Sequence, residues 1–306
     1  MRILLIVNTA ASSFSARKRV VIQKALSSDH EVEVVETVRG GHATRLAHTA
    51  ASDGVDVVAV LGGDGTLNEA ANGLVDSATA LAPLPGGSTN VYARTIGVAN
   101  DAVEATGQLL ASLERESFKR VGLGRVEERY FLFHCGVGFD AAVVEKVEAR
   151  RGLKKIAPHP FFAMNAFDAW LRTYDHKKSR FTVELDDGTK IDGGTMAIAA
   201  VSTPYTFIGK RPIVVTPNAS LDSGFSLAVV QAHRSLPMIG LVSRAIIGQH
   251  GLGRTHAAVV KDDLSEFTIE ADIPVPYQAD GEFLGEATKL RFTHHPKALN
   301  IVMPTL

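Results

Sequence analysis

The sequence predicts two domains of different class: α/β plus all-β, a doubly wound parallel sheet followed by an antiparallel β-sandwich carrying a few helices. Three observations predict it. Residues 1–115 alternate short, apolar, β-branched runs with segments of helical spacing, the pattern of strands buried on both faces by helices. Two consecutive strand–glycine turn–helix units, at 56–74 and 80–96, place both turns at the carboxyl edge of one parallel sheet. From Phe118 strand-like runs dominate, joined by short turns such as Asp186-Asp187-Gly188.

In chain order, residues 3–7 form the first strand, an apolar run ended by Asn8 and too short for a signal peptide. A helix over 14–26, a strand over 32–36 and a helix over 44–51 follow. Residues 55–61 are apolar but for Asp56 and rich in valine, as a central parallel strand requires. Residues 66–74 have helical spacing with Gly73 near the end. A strand over 80–84 leads to a second helix over 91–96, for which Ser88, Thr89 or Asn90 supplies the cap. The second domain has strands at 130–135, 180–185, 196–201, 213–215, 225–230, 257–260, 266–270, 275–279, 289–292 and 299–302. Helices are expected at 141–149, 160–174 and 237–249. The domains are set at 1–115 and 116–297, with the tail 298–306 returning to the first.

Composition bounds the function. The chain has 306 residues, 45% hydrophobic and 21% charged, enough for two domains with real cores. Its formal net charge of −1 gives no field that favours nucleic acid or an anionic membrane. A single cysteine, Cys135, excludes an internal disulfide and suits a reducing cytoplasm. No window reaches the ~20 apolar residues of a membrane span.

The chemistry concentrates in the glycine turns. Gly62-Gly63-Asp64-Gly65-Thr66 stands between a buried strand and a helix. Glycines let backbone approach a ligand without a Cβ in the way, and a helix start offers N–H groups to an anion. Asp64 is a carboxylate among those donors, sensible beside a phosphate when Mg²⁺ bridges them or a proton is taken. The bland alternative is an ordinary strand–helix turn. Pro85-Gly86-Gly87-Ser88-Thr89-Asn90 repeats the arrangement one unit later. Arg94, one turn into the second helix, is either a phosphate contact or an ordinary surface arginine.

These two turns, extended to Gly62–Glu69 and Pro85–Arg94, resemble the catalytic domain of the diacylglycerol, sphingosine and ceramide kinases, most closely its bacterial soluble branch. Leu4-Leu5-Ile6-Val7-Asn8 resembles the family's first strand, and Thr37 with Gly41-His42-Ala43 its nucleotide-edge segment. Gly136-Val137-Gly138-Phe139-Asp140-Ala141 resembles its acceptor-side motif. Pro217–Gly224 and Asp280-Gly281-Glu282 resemble its C-terminal motifs. The resemblance implies ATP and Mg²⁺ as cofactors. It implies nucleotide contacts at Asn8, Thr37, Gly62, Gly63, Gly65, Thr66, Gly87, Ser88, Thr89, Asn90 and Arg94. It places Asp140 at the acceptor cleft and the Asp-Gly-Glu carboxylate near the phosphates, so Glu282 is the candidate for metal or base work, with Asp64 the alternative. A lipid substrate would be met at the inner membrane face by a cytoplasmic, peripheral enzyme. A homodimer is left open.

Several readings stay double. Asp140 equally suits a helix N-cap. Residues 136–141 also fit the G-x-G-x-x-A dinucleotide pattern, but basic residues follow where an acidic one is needed. The aromatic segment 158–171, with Phe162 and Phe167 as lipid-contact candidates, is either a core-facing helix or a lipid-facing one beside Arg150, Arg151, Lys154 and Lys155. Departures from the family thin its acidic network: Val91 stands where the bacterial enzymes carry an Asp, and Gly122 where they carry another. Asp222 is the candidate for a structural metal, but Ser223 replaces its companion acid. The 11 histidines show no ligand spacing. Three functions follow: an ATP-dependent lipid kinase, an NAD kinase or other small-molecule kinase sharing the first turn, or a binding protein that has lost catalysis.

Overall fold

The computed structural model describes residues 1–13, 15–149, 181–231 and 258–305. The chain forms two compact units, residues 1–123 with 296–306, and residues 124–295. The division falls at 123/124 rather than 115/116 because a single long strand runs through the change of composition at Phe118.

In the first unit β1 (Arg2–Val7), α1 (Ala16–Leu26), β2 (Glu31–Glu36), α2 (His42–Ser52), β3 (Val57–Gly62), α3 (Asp64–Leu74) and β4 (Ala80–Pro85) alternate, followed by α4 (Val91–Thr95), α5 (Ala102–Glu114) and the start of β5 (Phe118–Val126). The strands lie in the order β2-β1-β3-β4, all parallel. Asn300 and Ile301 of the tail add a further parallel strand beside Ala80 and Leu81 of β4. The order reverses between β1 and β3, the position at which such sheets bind ligands at their carboxyl ends. β3 and β4 are buried along their whole length, as their unbroken apolar runs require. Helix α3 lies close on α2 because residue 73 has no side chain. A Cβ there would stand 2.3 Å from the Thr44 carbonyl oxygen and 2.9 Å from the Ala47 Cβ. α5 was not predicted, although Asp101 marks its start by accepting the Val103 and Glu104 N–H groups at 2.9 and 3.3 Å.

The second unit continues with β6 (Arg129–Phe131), β7 (His134–Gly138), α6 (Phe139–Ala149), β8 (Phe181–Leu185), β9 (Lys190–Gly194), β10 (Met196–Ala200), β11 (Thr206–Ile208), β12 (Arg211–Ile213), β13 (Phe225–Val230), β14 (Ala258–Leu264), β15 (Glu266–Ala279) and β16 (Glu282–Val302). Strands β14, β13, β10, β7, β15 and β16 pair antiparallel in that order, and β15 also carries β8 and β9. Alternate residues bury opposite faces. One face of β7, β10 and β13 joins Phe181, Phe267, Leu290 and Phe292 in the larger core, where Phe267 stacks on Phe292 at 4.4 Å. The other packs Ile198, Ala228 and Val230 against Phe139, Val143 and Val147 of α6.

Three strands differ from the expectation. The strand expected at 130–135 is broken at Leu132 and Phe133, whose N–H groups donate to the Asp280 carboxylate instead of to a neighbouring strand. The runs expected at 289–292 and 299–302 belong to one strand of 21 residues, β16. The strand near 213 comes earlier, as β12, which among the described residues pairs with β11. The helices expected at 160–174 and 237–249, with Phe162, Phe167 and the basic cluster 150–155, lie outside the described residues. Among the described residues no helix is long and apolar enough to cross a membrane.

Candidate functional site

In the first unit the two glycine turns meet directly. The Gly86 N–H donates to the Gly62 carbonyl at 2.8 Å. A Cβ on Gly87 would stand 2.8 Å from the Gly63 Cα, and one on Gly86 would stand 3.0 Å from the Gly62 nitrogen. Only glycines let both loops pass this close.

Asp64 closes the arrangement. Its carboxylate accepts the Val91 and Tyr92 N–H groups at 3.0 and 3.1 Å, so it caps α4 from the neighbouring turn. This answers the question the sequence posed: the donors around Asp64 include the start of the second helix, so a carboxylate is sensible here without a metal. Burial pushes its carboxyl above the usual range, against the Val91 and Tyr92 N–H groups and the Arg94 charge, which pull it down.

Asn90, in the left-handed region at φ 51°, locks the second turn. Its Oδ1 accepts the Gly87 N–H at 2.8 Å, and its Nδ2 donates to the Gly87 carbonyl at 3.0 Å and to Asn100 Oδ1 at 2.8 Å. Asn8, at the end of β1, donates from Nδ2 to Thr66 Oγ1 at 2.8 Å and ties that strand to α3. Thr37 ends β2, its N–H on the Val7 carbonyl at 2.9 Å. Arg94 donates to the Thr89 carbonyl at 3.4 Å. Ser88 and Gly65 are exposed, and the opening N–H groups of α3 have no acceptor within their own helix. The structure thus ties Asn8 to Thr66, Gly62 and Gly63 to Gly86 and Gly87, and Asp64 to the helix that carries Arg94, with Asn90 closing the second turn.

The second unit holds a different group. Asp280 and Gly281, at φ 50° and 79°, form the tight turn between β15 and β16. The Asp280 carboxylate accepts the N–H groups of Leu132, Phe133 and His134 at 2.7, 3.0 and 3.2 Å. Glu282 follows the turn and pairs with Arg129 at 2.7 Å. Asp140, in the first turn of α6 and 8% exposed, accepts the Tyr205 hydroxyl at 2.5 Å and Gln278 Nε2 at 2.7 Å. Burial raises its carboxyl above the usual range, with both donors opposing. The His134 ring lies 4.2 Å from the Tyr205 ring, its Nδ1 without a partner among the described residues, and burial pushes its pKa down to about 3. Asp222 is exposed, and among the described residues no group of three or more His, Cys, Asp or Glu side chains is placed to hold a metal ion. Its loop is held instead by β14, where Asp263 accepts the Gly224 N–H at 2.9 Å and Asp262 accepts Asn218 Nδ2 at 2.8 Å.

Sequence reasoning missed Tyr205, Gln278 and Arg129. Tyr205 and Arg129 lie outside the motifs, and the contacts of all three to Asp140 or Glu282 join positions far apart in the chain. It also passed over Glu69, whose carboxylate accepts the Ala43 N–H at 3.2 Å and so joins α3 to the start of α2. Its acidic position four residues after a glycine turn was the available signal.

Abutting glycine turns at the carboxyl ends of β3 and β4 in a parallel sheet, with an antiparallel sandwich downstream, are an arrangement suited to binding phosphate. The chain matches the diacylglycerol kinase catalytic domain over residues 2–125 and the YegS C-terminal NAD kinase beta sandwich-like domain over 134–303. It therefore belongs to the diacylglycerol kinase family, and it is an enzyme of the lipid kinase class. It is 24% identical over 290 residues to a diacylglycerol kinase of Bacillus subtilis, covering 93% of this chain and 89% of the relative. A diacylglycerol kinase of Staphylococcus aureus is 25% identical over 269 residues, covering 86% of this chain and 79% of the relative. The crystal structure of a diacylglycerol kinase from Bacillus anthracis has the same fold, with a TM-score of 0.73 at 20% identity over 99% of this chain and 96% of that one.

Proposed function

We propose that the chain transfers the γ-phosphoryl group of ATP to a hydroxyl of a diacylglycerol-like or sphingoid-like lipid. The observation that carries the reading is the contact of the two glycine turns, locked by Asn90 and Asp64 and open on the side of Gly65 and Ser88. A backbone surface without Cβ atoms, facing a helix start, suits a polyphosphate. The residues therefore fit a nucleoside triphosphate. They fit Mg²⁺ more sparely: Asp64 is engaged by two N–H groups and Val91 is uncharged, so phosphate oxygens and water would fill most of the metal's shell.

Bound Mg·ATP supplies the electrophilic phosphoryl group and neutralises its charge. The chain's own groups do the rest. The N–H groups of Gly65 and Thr66 orient the phosphates. Arg94 adds a fixed positive charge to the second turn. Asp64 holds the two turns in register. Glu282 takes the proton of the acceptor hydroxyl, for which it must exchange its Arg129 partner for that hydroxyl. The protein would meet its lipid at the membrane surface from the cytoplasmic side.

Incubation of the purified protein with γ-labelled ATP, Mg²⁺ and a crude lipid extract tests the reading. Label in a lipid phosphate is expected. Label in NADP when NAD is supplied would overturn it in favour of a small-molecule kinase, an outcome the NAD kinase-like sandwich makes worth including. Nucleotide binding without transfer to either acceptor would overturn it in favour of a binding protein.

A further inference from the structure

The carboxylate of Asp140 is buried. Both its oxygens are taken, Oδ1 by the Tyr205 hydroxyl and Oδ2 by Gln278 Nε2. Gln278 is fully buried and its other end is equally committed, because Oε1 accepts the Gly281 N–H at 2.8 Å. A backbone N–H only donates, so it fixes the amide: Oε1 faces the hairpin and Nε2 faces Asp140. Asp140 must then accept. Gly136 lies opposite Gln278 on β7, and a Cβ there would stand 1.7 Å from Asp140 Oδ2 and 2.7 Å from Gln278 Nε2. The strand keeps a glycine where this hydrogen bond passes.

The chain of contacts ends at the hairpin that carries Glu282. That hairpin is pinned on one side by the Asp280 carboxylate on three N–H groups of residues 132–134. On the other side the pin is Gly281 on Gln278. We infer that Gln278 and Asp140 are positioning residues that hold the Asp280–Gly281 turn, and so Glu282, in place for phosphoryl transfer. Asp140 on this account never touches the acceptor. The inference rests on the proposed role of Glu282.

The amide allows a sharp test. In Gln278→Glu one carboxylate oxygen still accepts the Gly281 N–H, but the other faces the Asp140 carboxylate. Two carboxylates in one site cannot both ionise readily, so the contact survives only when they share a proton. In the Asp140→Asn/Gln278→Glu double variant the donor and acceptor are exchanged, and the Tyr205 hydroxyl still has an oxygen to donate to. For Gln278→Glu we expect kcat at pH 8 to fall by about tenfold or more, the usual cost of a displaced catalytic group. Part of it should return toward pH 6, with the KM values for ATP and lipid held within about twofold. The double variant should recover most of the lost kcat and lose the new pH dependence. Amide exchange at residues 279–283 should quicken in Gln278→Glu and slow again in the double variant. A double variant as poor as the single one, or a loss confined to the lipid KM, overturns the inference and returns Asp140 to the acceptor. Glu282→Gln is measured alongside. Full turnover in that variant overturns the role of Glu282 in the reaction, while exchange at the hairpin still decides whether the relay holds the turn.

Discussion

The glycine turns of the first unit and the Asp280–Gly281 hairpin of the second use their prominent acids alike and their surroundings differently. Asp64 and Asp280 each accept a set of backbone N–H groups from a segment other than their own. Both are brackets. Around Asp64, however, the fit is between backbones, glycine on glycine, with little left to adjust. Around Asp280 it runs through side chains, from Tyr205 to Asp140 to Gln278, and Glu282 is held by a separate ion pair. A site for a constant ligand such as a polyphosphate suits the first construction. A catalytic carboxylate that must be aimed suits the second.

The variant that strains this comparison most is Asp64→Asn. An amide can accept one of the two α4 N–H groups but presents its own donor to the other. Turnover should fall by about 10²-fold or more, because the turns that present N–H groups to the phosphates lose their register. Loss of the cap itself should cost only about 1 kcal/mol of stability. Near-normal turnover in the folded variant would reduce Asp64 to a cap and nothing else.

Gly87→Ala tests the backbone fit alone. The new methyl has only the Gly63 Cα and the Asn90 side chain to move, at 2.8 and 2.9 Å. Separation of the turns should weaken nucleotide binding by about tenfold, read by calorimetric titration with ATP and Mg²⁺. Unchanged affinity would mean that the close approach serves folding and not the phosphates.

Gly73→Ala keeps away from both sites and sets the scale for packing. Alanine gains about 1 kcal/mol in helix propensity over glycine. Against that, its Cβ meets the Thr44 carbonyl at 2.3 Å, a backbone atom that cannot swing aside. Overpacking of this kind costs about 1–3 kcal/mol, so a net loss in the urea midpoint is expected, with turnover per folded molecule unchanged. A gain in stability would show that α2 and α3 part freely.

These elements differ in how far the sequence reveals them. The parallel strands and their glycine turns are legible because an unbroken apolar run and a run of glycines are local signals. The acids of the motifs are legible as residues but not as roles. The partners of Asp64 lie at Val91 and Tyr92, and apolar residues advertise nothing about their N–H groups. Gln278 is less legible still, since the bond that gives it meaning joins positions 138 apart. The break between β6 and β7 likewise follows from a carboxylate far along the chain, not from its own residues.

A graded effect concerns His134, beside Tyr205. Its folded pKa of about 3 lies below the ordinary value of 6.5, so the unfolded chain binds the proton more readily. Its contribution is therefore complete above pH 6.5 and is lost as pH falls from there toward 3. Within that window stability should fall by at most about 1.4 kcal/mol per pH unit from this group. His134→Gln should flatten that part of the profile in denaturant titrations at pH 7.5, 5.5 and 4.5. An unchanged slope would mean that the ring can take its proton in the folded protein.

Phosphoryl transfer from ATP to a lipid hydroxyl is tested most directly by comparing acceptors. With ATP and Mg²⁺ held constant, rates are measured with glycerol, a short-chain diacylglycerol and a long-chain diacylglycerol in mixed micelles. Each acyl CH₂ buried contributes about 0.8 kcal/mol, so a lipid site must favour the longer chains strongly. The account predicts activity that rises with acyl length and with micelle or vesicle presentation. Equal rates with glycerol and with the long-chain diacylglycerol would contradict it.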